Sequence, residues 1–187
     1  MIFLKRGNLS REIVLNQALS LASEKGLEKL TYNGLARSLS VQPQSLYRYV
    51  ENIADVKSGV VAEYVQRLTT SLYKELVPYS GKDALRRFAI YFVSSTQNSM
   101  PFADMISGLT TYGHTPQLVA EITKLRELST TIIRSITTDE SQIKANEQLF
   151  LNFIIGNLAL VTVGAPNAVR DKDVFEQNID RVLSLIN

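Results

Sequence analysis

The densest run of residues able to read another molecule's edges is Gln42-Pro43-Gln44-Ser45-Leu46-Tyr47-Arg48-Tyr49. Glutamine carboxamides can bridge adenine N6 and N7, and an arginine fork can take guanine O6 and N7. A serine hydroxyl or a proline ring can meet a base edge or a thymine methyl. Tyrosine hydroxyls suit phosphate oxygens, contacts that fix register rather than sequence. Leu46 and Val50 have the spacing of residues that anchor one side of a helix, which leaves the polar residues outward.

Enzyme chemistry finds little to use. The chain of 187 residues holds one histidine and no cysteine, so neither a histidine-based metal cluster nor a cysteine nucleophile can be assembled. No glycine-rich phosphate loop, Walker lysine or G-x-S-x-G elbow is present, and Asp139-Glu140 reads as a pair of helix-terminal charges. No catalytic residue, metal or cofactor is expected. With 45% hydrophobic and 20% charged residues the composition is that of a globular protein. Net charge is +2 but uneven. Residues 1–60 hold eight Lys/Arg against five Asp/Glu, and the remainder twelve against thirteen. A basic head on a slightly acidic body suits a polyanionic partner for the head. The opening MIFLKRGNLSRE has no apolar run of a leader type, and the longest apolar stretch is too short and too interrupted for a membrane span. A cytoplasmic protein without a membrane partner is the expectation.

The elements that must position the reading residues are helices. Ser10 is placed to cap a first helix carrying Ile13, Val14, Ala18, Leu21 and Ala22, which Gly26 ends. Thr31 caps a second, with Leu35, Ala36 and Leu39, and Pro43 opens a third, expected over 43–50. The short join between 39 and 43 suits a helix-turn-helix, whose second helix fits a DNA major groove. Asn52 with Asp55 resembles a capping box opening a fourth, long helix closed by Pro78. Further helices are expected after Gly81, over 102–109, from Pro116, from Thr138 or Asp139 to Gly164, and over 172–185. Strand signals are absent. The expectation is an all-α fold of about nine helices, with a helix-turn-helix domain over 1–55 and a helical domain for effector binding and dimerisation over 56–187.

Residues 26–56, GLEKLTYNGLARSLSVQPQSLYRYVENIADV, resemble the DNA-binding domain of TetR-family (TetR/AcrR) transcriptional regulators. The resemblance is carried by Gly26, Leu30-Thr31, Leu35-Ala36, Leu39, Val41, Leu46-Tyr47 and the aromatic Tyr49. It implies a double-stranded DNA operator faced by Thr31, Gln42, Pro43, Gln44, Ser45 and Arg48, with Tyr47 and Tyr49 on the backbone. Two positions depart from the pattern. Ser40 stands where a glycine usually makes the turn, and Ile53 stands where a lysine often grips a phosphate. Lys57, one turn on, and Lys5 and Arg6 in the N-terminal arm are the candidate substitutes.

The segment LFLNFIIGNLALVTVG is apolar on more than one face, more than a single core requires, and Gly156 would admit a second helix closely. The resemblance implies a homodimer through the last two helices, reading two half-sites as a repressor released by a small-molecule effector. Candidate effector contacts are Gln97, Asn98, Tyr112, His114 and Asn157, with Phe92, Phe102 and Met105 as walls. The mix of aromatic and uncharged polar residues favours a largely apolar or aromatic ligand. A second reading is a TetR-shaped interaction protein that has lost specific DNA binding.

Overall fold

The computed structural model describes residues 9–97, 100–162 and 172–187, with the side chains of Gln97, Val161, Thr162 and Lys172 outside the description. The described residues form nine α-helices: α1 (Arg11–Lys25), α2 (Tyr32–Ser38), α3 (Pro43–Leu46), α4 (Ile53–Leu76), α5 (Gly81–Gln97), α6 (Phe102–Tyr112), α7 (Pro116–Ile136), α8 (Ile143–Thr162) and α9 (Lys172–Leu185). A 3-10 turn, Glu140–Gln142, precedes α8. The all-α expectation holds, and no strand occurs among the described residues.

Local chemistry sets the helix ends. Ser10 Oγ accepts the Ile13 N–H at 3.2 Å and Thr31 Oγ1 accepts the Gly34 N–H at 3.1 Å. Each satisfies one of the amide groups that a helix start leaves without a partner. Gly26 closes α1 at φ +92°, with its N–H on the Ala22 carbonyl at 2.8 Å. Asn52 Oδ1 accepts the Asp55 N–H at 3.0 Å. The return bond differs from the capping box expected, because the Asp55 carboxylate takes the N–H of Glu51 at 2.9 Å, one residue earlier. Asp139 caps the 3-10 turn through the Ser141 N–H. The expected run of α8 to Gly164, and Pro166 beyond it, lie outside the described residues.

The helices fall into two compact units. One contains α1, α2, α3, α4 up to Gln66, α6, and α7 up to Glu121. Its buried residues include Val14, Ala18, Ala22, Leu35, Leu46, Val56 and Val60, each fully or almost fully inaccessible. Asp104 on α6 accepts the Leu27 N–H at 2.8 Å, and a Cβ on Gly108 would come within 2.5 Å of Val61 on α4. By these two contacts α6 is fastened to the helix-turn-helix unit.

The other unit contains the remainder of α4, α5, the remainder of α7, and α8 and α9. There α5 packs on α8 and α9 around Phe88, whose ring meets Phe150 edge-on at 5.6 Å and stacks with Phe92 at 6.0 Å. Arg86 donates to Asp180 at 2.7 Å and Glu176 at 2.8 Å, which ties α5 to one face of α9. Arg87 pairs with Glu75. No helix among the described residues is long and apolar enough to cross a membrane.

Candidate nucleic-acid interface

The reading segment is built on little helix. Gln42 is extended and Pro43 occupies the first helical position, where a missing N–H costs nothing. Regular helix covers only Pro43–Leu46, shorter than the 43–50 expected from spacing. Beyond it the chain closes in a tight turn, with the N–H groups of Tyr49 and Val50 both on the Leu46 carbonyl, at 2.8 and 3.0 Å. Leu46 and Val50 are buried and anchor this turn. Gln42, Gln44, Tyr47 and Arg48 are exposed, and Pro43, Ser45 and Tyr49 are half-buried. Among the described residues, the side chains of Gln42, Gln44, Ser45 and Arg48 make no hydrogen bond or ion pair.

The turn before α3 has the geometry that its residues require. Ser40 sits at φ +55°, the left-handed conformation that closes a helix. The Val41 N–H reaches back to the Ala36 carbonyl at 3.0 Å and the Ser40 N–H to Arg37 at 3.1 Å. This paired pattern satisfies two carbonyls at the end of α2.

Three residues outside the reading segment hold it in place. Tyr32 tilts against Tyr47, with centroids 4.9 Å apart, and its hydroxyl donates to the Val50 carbonyl at 3.3 Å. Burial, with the neighbouring Tyr47, raises the Tyr32 pKa. Tyr47 itself remains 64% exposed. Arg11 donates to the Tyr49 carbonyl at 3.0 Å and grips Asp55 with both terminal nitrogens, at 2.8 and 2.6 Å. This fork holds the Asp55 carboxyl below its ordinary pKa, and the Glu51 N–H adds to the effect. Sequence spacing picked out neither Tyr32 nor Arg11, since each acts on a residue far along the chain. Thr31 is exposed, with its hydroxyl already accepting from Gly34.

Lys57 is engaged elsewhere. Its ammonium faces the Glu28 carbonyl at 3.4 Å and the Glu28 carboxylate at 3.7 Å, and only 14% of the side chain is accessible. Ile53 is half-buried at the first position of α4. Lys5 and Arg6 lie outside the described residues.

The residues expected to meet an effector do not fall in one unit. Phe102, Met105, Tyr112 and His114 belong to the helix-turn-helix unit, whereas Phe92, Gln97 and Asn157 belong to the other. Met105 is buried and Phe102 half-buried. Tyr112 and exposed His114 line an open cleft of about 650 Å³ together with Asn52, Ser58 and Thr115. In this cleft the Ser58 and Thr115 hydroxyls meet at 3.0 Å. In the other unit Phe92 stacks on Phe88, and Asn157 donates to the Phe153 carbonyl of its own helix at 2.7 Å. The Gln97 side chain and Asn98 lie outside the described residues.

No family model matches the sequence. A 64-residue stretch is 33% identical to a Mycobacterium tuberculosis protein described as an uncharacterized HTH-type transcriptional regulator. That stretch is 34% of this chain and 29% of the relative's length. Solved structures match over nearly the whole chain. The Streptomyces coelicolor TetR regulator SCO7222 is similar with TM-score 0.75 and 18% identity, over 95% of this chain and 97% of its own. BioQ bound to its natural double-stranded DNA operator gives TM-score 0.64 and 16% identity, over 95% and 99%. An Acinetobacter baumannii TetR variant in complex with minocycline gives TM-score 0.65 and 15% identity, over 96% and 99%. Helix order, the anchored turn at 43–50 and these likenesses converge: the chain has the fold of the TetR-family transcriptional regulators.

Proposed function

We propose that the chain is a sequence-specific DNA-binding transcriptional regulator: a dimeric repressor that binds a palindromic operator and is released by a small molecule. One observation carries the reading. Gln42, Gln44, Ser45 and Arg48 stand accessible and unengaged among the described residues, on a turn anchored from beneath by Leu46 and Val50. Such residue types in that position are base-edge readers. Residues 1–55 are assigned to DNA, and 56–187 to effector and dimer. Fold likeness to BioQ with its operator and to a minocycline-bound TetR variant supports both halves. Exposed Ile155, Leu160, Val174 and Leu185 on α8 and α9 support a second copy as the partner of those helices. The effector contacts are drawn from Phe92, Gln97, Phe102, Met105, Tyr112, His114 and Asn157, and the regulator works in the cytoplasm.

The test is selection of bound duplex from random oligonucleotides, followed by titration of the selected site. Arg48→Ala is expected to cost about 1–3 kcal/mol and to relax preference at one base pair of each half-site. Tyr47→Phe is expected to weaken binding to all sequences alike, as a lost backbone contact does. Absence of any sequence preference at physiological salt, with neither substitution changing binding, rejects the reading.

Ile53 and the engagement of Lys57 with Glu28 favour one alternative, a TetR-shaped module that docks another protein. Affinity for DNA then stays flat with salt, whereas a phosphate-gripping protein loses it steeply.

A further inference from the structure

The reading helix is four residues long, too short to hold a direction by its own stiffness. Beside the buried anchors Leu46 and Val50 and the Tyr32–Tyr47 contact, its orientation depends on what the following link, residues 49–52, is fastened to. Besides the Tyr32 hydroxyl on the Val50 carbonyl, that link is tied at three points. The Tyr49 carbonyl takes Arg11 Nη1 at 3.0 Å, and the Glu51 N–H donates to Asp55 Oδ2 at 2.9 Å. Asn52 Oδ1 receives the Asp55 N–H at 3.0 Å. The first two meet a single ion pair, in which the Arg11 fork meets both oxygens of Asp55, at 2.8 and 2.6 Å, and the third holds the Asp55 backbone. Arg11 opens α1 and Asp55 lies in the first turn of α4. The pair therefore connects the first helix to the fourth and seizes, on the way, the carbonyl that ends the reading turn. An arginine is needed for this. Its planar fork serves two carboxylate oxygens and a carbonyl together, which a lysine ammonium on a flexible stem does not.

We infer that Arg11 is a positioning residue for DNA reading: it sets the direction of the 43–49 turn through the Tyr49 carbonyl and Asp55, without contacting a base. The inference rests on the regulator reading above. It differs from a plain stabilising role in what it predicts. Misdirecting the turn removes base contacts and leaves attraction to phosphates intact, so specific affinity falls while non-specific affinity does not.

The experiment titrates wild-type protein and the variants R11K, R11Q and D55N with the selected operator and with random duplex of equal length, at one salt concentration. Melting followed by far-UV circular dichroism confirms that each variant is folded at the assay temperature. R11K keeps the charge and loses the fork. It is expected to lower the ratio of specific to non-specific affinity about tenfold, the discrimination of one well-placed base contact, with binding to random duplex unchanged. R11Q is expected to lower the same ratio by the same factor. D55N gives the sharpest contrast, because removing a negative charge by itself strengthens DNA binding. Positioning predicts the opposite sign on the operator, again a fall in the ratio of about tenfold. Retention of the wild-type ratio by R11K and R11Q, or equal tightening on both duplexes by D55N, overturns the inference. Should the Arg11 variants be unfolded, D55N decides alone, since it preserves side-chain volume and an acceptor for the Glu51 N–H. If the wild-type protein shows no sequence preference, the regulator reading fails in that arm, and this inference falls with it.

Discussion

Ser40 holds φ at +55° to let two amides close the end of α2. A residue with a Cβ pays roughly 1–2 kcal/mol for that conformation, and glycine escapes the penalty while losing about 0.5–1 kcal/mol more backbone freedom on folding. Ser40→Gly is therefore expected to stabilise the chain by about 0.5–1 kcal/mol, measured as a rise in urea midpoint at constant slope. An unchanged or lowered midpoint refutes the argument. The left-handed turn is what the family resemblance implies, since a glycine usually stands where this chain has Ser40; the residues alone show only a short join between two helices. Ser10, Thr31 and Leu46 are legible in the residues themselves, because their roles are settled by neighbours within one helical turn. Arg11 and Tyr32 are not legible in this way. Their partners Asp55 and Val50 lie 44 and 18 positions away, and nothing in local spacing marks an arginine as a clamp rather than a solvated charge. Lys57 shows the same limit: its place one turn beyond Ile53 suggests phosphate, and local spacing does not mark the Glu28 contact that the fold gives its ammonium.

Among the elements, helix existence and most boundaries follow from caps, glycines and prolines. α3 is shorter than its apolar spacing implies because Leu46 and Val50 can be buried from a turn as readily as from a helix. Attachment of α6 to the helix-turn-helix unit has no local signal at all, since Asp104 caps an amide 77 residues earlier. Gly108 tests that attachment. In an open helix Gly→Ala gains about 1 kcal/mol from propensity. Here the added Cβ would lie 2.5 Å from Val61 Cγ2 and 3.1 Å from Leu27 Cδ2. Val61 is fully buried and β-branched, so it has no free rotamer into which to retreat. Overpacking of this kind costs about 1–3 kcal/mol and outweighs the propensity gain. Gly108→Ala is expected to lower the melting temperature; a rise would mean that α6 is not held against α4.

For the whole molecule, the question is what covers α8. The helix is apolar on more than one face. Phe150, Ile154 and Leu158 are buried, yet Ile155 and Leu160 remain 47% and 48% exposed. Gly156 lies between them and has no atom within 4 Å of an added Cβ. If the protein is a homodimer through α8 and α9, Gly156→Ala has two effects of opposite sign. Within one chain the methyl meets open space, so helix propensity raises the stability of the dissociated protomer by about 1 kcal/mol. Across the interface the same methyl separates helices that the glycine lets approach, which costs about 1–3 kcal/mol and weakens the dimer about 5- to 150-fold. Sedimentation equilibrium over a dilution series measures the second effect, and denaturation below the dissociation constant measures the first. A chain that gains stability with no change in association places the contact elsewhere, because only a face covered by a second copy can make the same methyl favourable in one state and unfavourable in the other.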